Sequence, residues 1–208
     1  MSAIKLLIGD YQKSSWSLRA WLVLVSADVP FEVIQIQLEQ PQTRERILAY
    51  SASGKLPVLL QEGLAINDSL AICEYLAEQY PEARLWPEDV GLRALARAAS
   101  AEMHAGFIQL RTQLPFGLSR GELAPQLSAE TEEQIQRVFS IWRQLLARSR
   151  SVAFLCGSFG VVDAMFTPLL LRFLRYGIAI PEDLKPYADT LLLHPPVLQW
   201  LKLAEQEI

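Results

Sequence analysis

A proline inside a short apolar run restricts how this chain can build a sheet. Leu56-Pro57-Val58-Leu59-Leu60 has the composition of a buried strand. Proline has no amide hydrogen for a ladder, which confines it to a strand edge, a strand start or a bulge. The backbone of Leu56 is then free to pair with something else. Shortly afterwards Asn67-Asp68-Ser69 opens an apolar-periodic helix. A strand edge with spare backbone groups, set beside a helix N-terminus, is a place to hold a small peptide.

The flanking sequence supplies a sheet for that edge. Ile4–Ile8 reads as a buried strand ended by Gly9-Asp10, and Ser15–Ala27 as a helix with a core-facing stripe of Leu18, Trp21, Leu22 and Val25. Phe31–Ile36 is β-branched and largely alternating, as in a second strand. Pro41–Tyr50 predicts a short helix. Glu62-Gly63 fits a hairpin turn into a returning strand at Leu64–Ile66. Residues from about Asp68 to Gln79 put Leu70, Cys73, Leu76, Ala77 and Tyr80 on one helical face. A strand-helix-strand opening implies a parallel pair, and the hairpin adds an antiparallel edge. The expectation is a thioredoxin-like α/β domain with a mixed four-stranded sheet over residues 1–80.

Residues 81–89, with Pro81, Trp86 and Pro87, read as a linker. The rest, 90–208, predicts an all-α helical bundle. Its expected helices are Leu92 to about Leu110, Thr131–Ala147, Val161 to about Tyr176 and Leu191–Leu203, with a loop over 114–125. Pro168 should kink the third of these. Val152–Leu155 is too short to decide between strand and loop.

The chain has 208 residues, 51% of them hydrophobic and 20% charged, which is enough apolar material for a sizeable core. Its formal net charge of -4 argues against a dedicated nucleic-acid binder. There is no pattern of a secretory signal or a membrane span. Cys73 and Cys156 sit in apolar runs and read as small buried hydrophobes in a reducing, cytoplasmic setting. With two histidines in the chain and no metal-ligand spacing, no metal is expected.

Taken in order, three motifs resemble the cytosolic glutathione S-transferase superfamily over essentially the whole chain, as a bacterial member nearest to its zeta-like, serine-type classes. They are Tyr11-Gln12-Lys13-Ser14-Ser15-Trp16-Ser17-Leu18-Arg19, Gly54-Lys55-Leu56-Pro57-Val58-Leu59 and Asn67-Asp68-Ser69-Leu70-Ala71-Ile72. Ser14-Ser15-Trp16-Ser17 is similar to the Ser-Ser-Cys-Ser motif of the zeta class, the maleylacetoacetate isomerases, with Trp16 in place of the cysteine. The resemblance implies glutathione as co-substrate, a small hydrophobic electrophile as partner, a detoxifying transferase activity and a homodimer. A glutathione-dependent isomerase and a non-catalytic binding regulator are the alternatives.

It also implies roles for residues. A thiol of pKa about 8.5 must become a thiolate to attack. A hydroxyl at a helix N-terminus suits that task, because a shift of one unit takes only about 1.4 kcal/mol. Ser14 is the expected catalytic donor and Ser15 its competitor, although both are ordinary helix caps. Trp16, Lys55, Leu56, Pro57, Asp68 and Ser69 are the expected glutathione-binding residues. Leu56 would hold the cysteinyl backbone, with Pro57 cis, while Asp68 and Ser69 would take the glutamyl end. Met103, His104, Phe107 and Arg111 recur at helical spacing and would wall the electrophile pocket; a Met/Phe stripe is also what a core needs. Asp163 lies three residues after Gly160, where the family has a Ser/Thr-x-x-Asp capping box, and is expected to be structural.

Overall fold

A computed structural model describes residues 3–119 and 126–207. Four strands form one sheet: β1 (Ile4–Ile8), β2 (Phe31–Gln35), β3 (Val58–Gln61) and β4 (Leu64–Asn67), in the order β2-β1-β3-β4. β2 runs parallel to β1, with Ile4 opposite Phe31. β3 runs antiparallel to β1, with Leu6 opposite Leu59, and β4 antiparallel to β3. Side chains alternate across the pleat. Ile4, Leu6, Ile8 and Leu59 enter the main core, whereas Leu7 and Val58 join Ile36 and Ile47 in a small second core on the other face. Ile47 belongs to a short helix, α2 (Thr43–Leu48). Directly opposite in the parallel register, Lys5 pairs with Glu32 at 3.2 Å.

The sheet's main face is covered by α1 (Ser15–Ser26) and α3 (Ser69–Gln79). α1 differs from the single stripe expected of it: Ser17 through Leu24 are all buried. The reason is that α1 is covered twice. It packs on α3 and also on α7 (Val161–Arg175) and α9 (Pro195–Glu205). A helix enclosed in this way is apolar all round.

The helical region departs from the sequence reading at two breaks. Instead of one helix from Leu92 to Leu110, α4 (Val90–Ala105) stops at Gly106 and α5 (Ile108–Gln113) starts afresh. Phe107 between them is left-handed, with φ 56, and a Cβ on Gly106 would lie 2.7 Å from the Glu102 carbonyl oxygen. Likewise α8 (Lys185–Leu192) precedes α9, and Pro195 and Pro196 open the second helix, where a missing amide hydrogen is harmless. α6 spans Ala129–Ser149. α7 continues as one helix through Pro168. Val152–Leu155 forms no strand. Of the expected 114–125 loop, residues 120–125 lie outside the described ones. No helix among the described residues is long and apolar enough to cross a membrane.

Asp163 fastens the start of α7. Its carboxylate accepts the amides of Leu155 and Gly160, both at 3.0 Å, while the Val161 amide donates to the Leu85 carbonyl. That last contact explains Gly160: a Cβ there would lie 2.6 Å from the Leu85 oxygen.

Candidate active site

The first site residue is delivered by the loop into α1. Ser14 is the N-cap, 6% exposed, and its Oγ lies 2.7 Å from Ser17 Oγ and 3.4 Å from the Ser17 amide. Ser17 Oγ also accepts the Gly9 amide at 3.1 Å. When Ser17 donates to Ser14, the Ser14 oxygen holds two incoming hydrogens and its own proton is free to point away from the protein. Gly9 makes this packing possible, since a Cβ there would sit 2.9 Å from the Leu38 side chain and 3.0 Å from Ser14 Cβ. Ser15 is the first residue of the helix; its hydroxyl has no hydrogen-bond partner among the described residues.

Leu56 and Pro57 lie just before β3, and the peptide bond between them is cis. The ladder to β1 begins only at Val58, so the amide and carbonyl of Leu56 have no hydrogen-bond partner among the described residues. Lys55 is exposed, and its amide is held by Ser53 Oγ at 3.2 Å. Ser14, Trp16, Lys55 and Leu56 line one cleft of about 500 Å³, together with Lys13, Arg44, Gly54 and neighbours. Pro57 is buried behind it.

At the start of α3, Asp68 has φ 79, a left-handed value that favours glycine. Its Oδ1 accepts the amides of Leu70 (2.9 Å) and Ala71 (3.2 Å). Ser69, 1% exposed, has a buried hydroxyl with no partner among the described residues. A buried hydroxyl at a helix N-terminus without a partner is suited to an incoming anion.

The other Asp68 oxygen reaches across to the helical half. Oδ2 pairs with His104 Nε2 at 2.9 Å, and the His104 ring stands edge-on to Trp16 with centroids 5.2 Å apart. Trp16 carries two cations as well, the Arg19 guanidinium 4.2 Å from its ring centroid and that of Arg111 at 5.5 Å. His104 and Arg111 therefore converge on Trp16. Met103 is fully buried and Phe107 is 6% exposed; both pack in the main core rather than presenting a free wall.

Arg19 and Arg172 have no site role in the sequence reading. Arg19 is fully buried, its Nε and Nη1 have no hydrogen-bond partner among the described residues, and burial lowers its pKa to about 9, with Arg172 and Arg111 pushing the same way. Arg172, also buried and lowered to about 10, donates to the carbonyls of Leu114 (2.9 Å) and Pro168 (3.3 Å). For Arg19 the available signal was a lone charge inside an otherwise apolar helix; for Arg172 it was a charge within the apolar run that closes α7. Burial raises the Cys73 thiol, and that of Cys156 to about 12, which disfavours the thiolate at both. No group of three or more metal-ligating side chains occurs among the described residues.

Residues 13–79 match the glutathione S-transferase N-terminal domain family. Over 196 residues the chain is 27% identical to a probable maleylacetoacetate isomerase of Caenorhabditis elegans, covering 90% of this chain and 86% of the relative. The maleylacetoacetate isomerase of Rattus norvegicus is 32% identical over 114 residues, about half of each chain (53%). Among solved structures, a glutathione transferase homolog from Burkholderia with bound glutathione superposes with a TM-score of 0.76 at 24% identity, over 99% of this chain and all of that one. That likeness concerns the fold: a thioredoxin-like α/β domain followed by a helical one.

Proposed function

From the premise that this chain carries the N-terminal domain and the fold of the glutathione S-transferase superfamily, we propose that it is a glutathione transferase. The observation that carries this reading is that the Ser14 hydroxyl and the unpaired backbone of Leu56 open into one cleft. The antiparallel backbone contact of a bound peptide's middle residue at Leu56 would bring its thiol toward Ser14. There the free Ser14 proton donates to sulfur, and the N-terminal end of α1 adds positive potential. Both favour the thiolate, which attacks an electrophile from the side of Trp16, His104 and Arg111. Ser69 would take the glutamyl carboxylate and Asp68 the ammonium. Lys55, exposed at the cleft, would pair with the glycyl carboxylate.

In this reading residues 1–80 are the glutathione-binding domain, 81–89 the linker and 90–208 the domain that supplies the electrophile side. The functional form is a homodimer. A second reading, a glutathione-dependent isomerase, is favoured by the maleylacetoacetate isomerase relatives and by the half-buried Arg111 beside Trp16, which suits an acidic substrate. Retention on immobilised glutathione, followed by turnover of an aryl halide and of maleylacetoacetate, separates the possibilities. Retention with conjugation supports the transferase, and isomerisation alone the second reading. Retention without either makes the protein a binding module, and no retention sinks every glutathione reading.

A further inference from the structure

The loop that delivers Ser14 has all four of its amides bonded, two of them to a residue 196 and 195 positions away along the chain. The amides of Lys13 and Ser14 both donate to the Asp10 carbonyl, at 3.1 and 2.8 Å. Those of Tyr11 and Gln12 donate instead to the two carboxylate oxygens of Glu207, at 2.9 Å to Oε1 and 2.8 Å to Oε2. The Gln35 side-chain amide also donates to Oε1. Glu207 lies just beyond α9, and the end of that helix is docked on the same loop. Gln12 Nε2 donates to the Ala204 carbonyl at 2.7 Å, Trp200 Nε1 donates to the Tyr11 carbonyl at 3.1 Å, and the Tyr11 and Trp200 rings meet edge-on at 4.6 Å.

A carboxylate that accepts two consecutive amides, one on each oxygen, fixes the orientation of the intervening peptide plane with charge-assisted bonds. Without it, the amides of Tyr11 and Gln12 lose their acceptor, while those of Lys13 and Ser14 keep the Asp10 carbonyl. Ser14 stands two residues further on, and catalysis is sensitive to displacements of the order of 1 Å. Glu207 does not line the cleft shared by Ser14 and Leu56 but the adjoining one, with Asp10, Gln12 and Lys13, so its connection to Ser14 runs through the loop.

We propose that Glu207 is a positioning residue for the Ser14 hydroxyl, locking the Tyr11–Gln12 segment so that the serine is presented to the thiol. The inference rests on the reading of Ser14 as thiolate donor.

The test compares the full chain with Glu207→Ala, Glu207→Gln, Ser14→Ala and the double variant S14A/E207A. The readouts are the ultraviolet thiolate absorbance of bound glutathione against pH, and kcat and KM with an aryl halide. E207A is expected to raise the pH of half-ionisation by about one and to lower kcat/KM roughly tenfold. E207Q retains one acceptor oxygen and should fall between E207A and the parent chain, which keeps the test readable if E207A does not fold. Because the effect runs through the serine, the double variant should be no worse than S14A. A merely structural Glu207 would lower Tm, leave the bound thiol's ionisation unmoved and add to S14A, and that outcome overturns the proposal. If S14A itself leaves the ionisation unmoved, the serine reading fails and Glu207's role falls with it. A shift in S14A with none in E207A or E207Q removes the role of Glu207 alone.

Discussion

Ser14 and Ser15 are adjacent, yet their hydroxyls have different surroundings. Ser14 Oγ is fixed by Ser17 and lines the cleft beside Leu56; Ser15 Oγ is unheld and does not line it. A donor already oriented before the thiol arrives loses little freedom on binding, which is where catalytic hydrogen bonds gain their effect. Ser14→Ala should therefore cut kcat by about a hundredfold, while Ser15→Ala changes it far less; the reverse order would move the role to Ser15. Trp16 also differs from the cysteine of the resembling motif in what it does. Its ring holds Arg19 on one element and Arg111 and His104 on others, so it joins the two halves at the site. His104→Ala removes the partner of Asp68 Oδ2 but leaves the Oδ1 cap of α3 intact. The expected outcome is a several-fold change in KM for glutathione with little change in Tm, measured by steady-state kinetics and a thermal melt.

At the scale of elements, the Asp163 side chain fastens the start of α7. Asp163→Ala would orphan the buried amides of Leu155 and Gly160 at once, at a cost of about 1–3 kcal/mol each. The same carboxyl links stability to pH. Burial raises it to about 7 in the folded chain, above the usual carboxylate value of about 3.9 when unfolded. Between these values the folded chain holds a proton that the unfolded chain releases. Its contribution is therefore full below about pH 4 and is lost as pH rises through about 7. Urea midpoints across that window should fall with pH in the parent chain and flatten in Asp163→Asn; equal slopes would refute the linkage. How legible such features were depended on range. β1, β2 and α3 were readable because their apolar periodicity is local. The gap between α4 and α5 was not, because it turns on a left-handed Phe107, a residue type with no preference for that conformation. α8 was hidden by its brevity. The clasp of Glu207 on Tyr11 and Gln12 pairs residues 196 and 195 positions apart, which no local pattern encodes.

At the scale of the molecule, α1 is shared property. One face completes the sheet's core with α3, and the other is covered by α7 and α9, where Trp21 meets Trp200 with centroids 5.4 Å apart. Apart from the small second core behind the sheet, the buried apolar residues described in both halves join one cluster that runs from Ile4 to Trp200. An isolated fragment of residues 1–80 would expose the second face of α1, several large apolar side chains at about 1.5–3 kcal/mol each. A small domain has only about 5–15 kcal/mol of stability in total, so the fragment should fail to fold cooperatively even though it carries every expected glutathione contact. It should give an uncooperative urea transition and no retention on immobilised glutathione. For the same reason the full chain should unfold in one step, with far-ultraviolet circular dichroism and tryptophan fluorescence following a single curve. Fluorescence reports on both sides of the junction, since Trp21 lies in α1 and Trp142 in α6. Two resolved transitions, or a fragment that melts cooperatively, would show that the shared face of α1 contributes less than its burial implies. The site sits on that seam: Ser14 and Trp16 stand at the N-terminus of α1, and Trp16 touches α4 and α5 through His104 and Arg111. A substitution that loosens the packing of α1 on α9, such as Trp21→Ala at about 3–5 kcal/mol, should therefore lower turnover and stability together. The cleft residues themselves, exposed Lys55 among them, should separate the two.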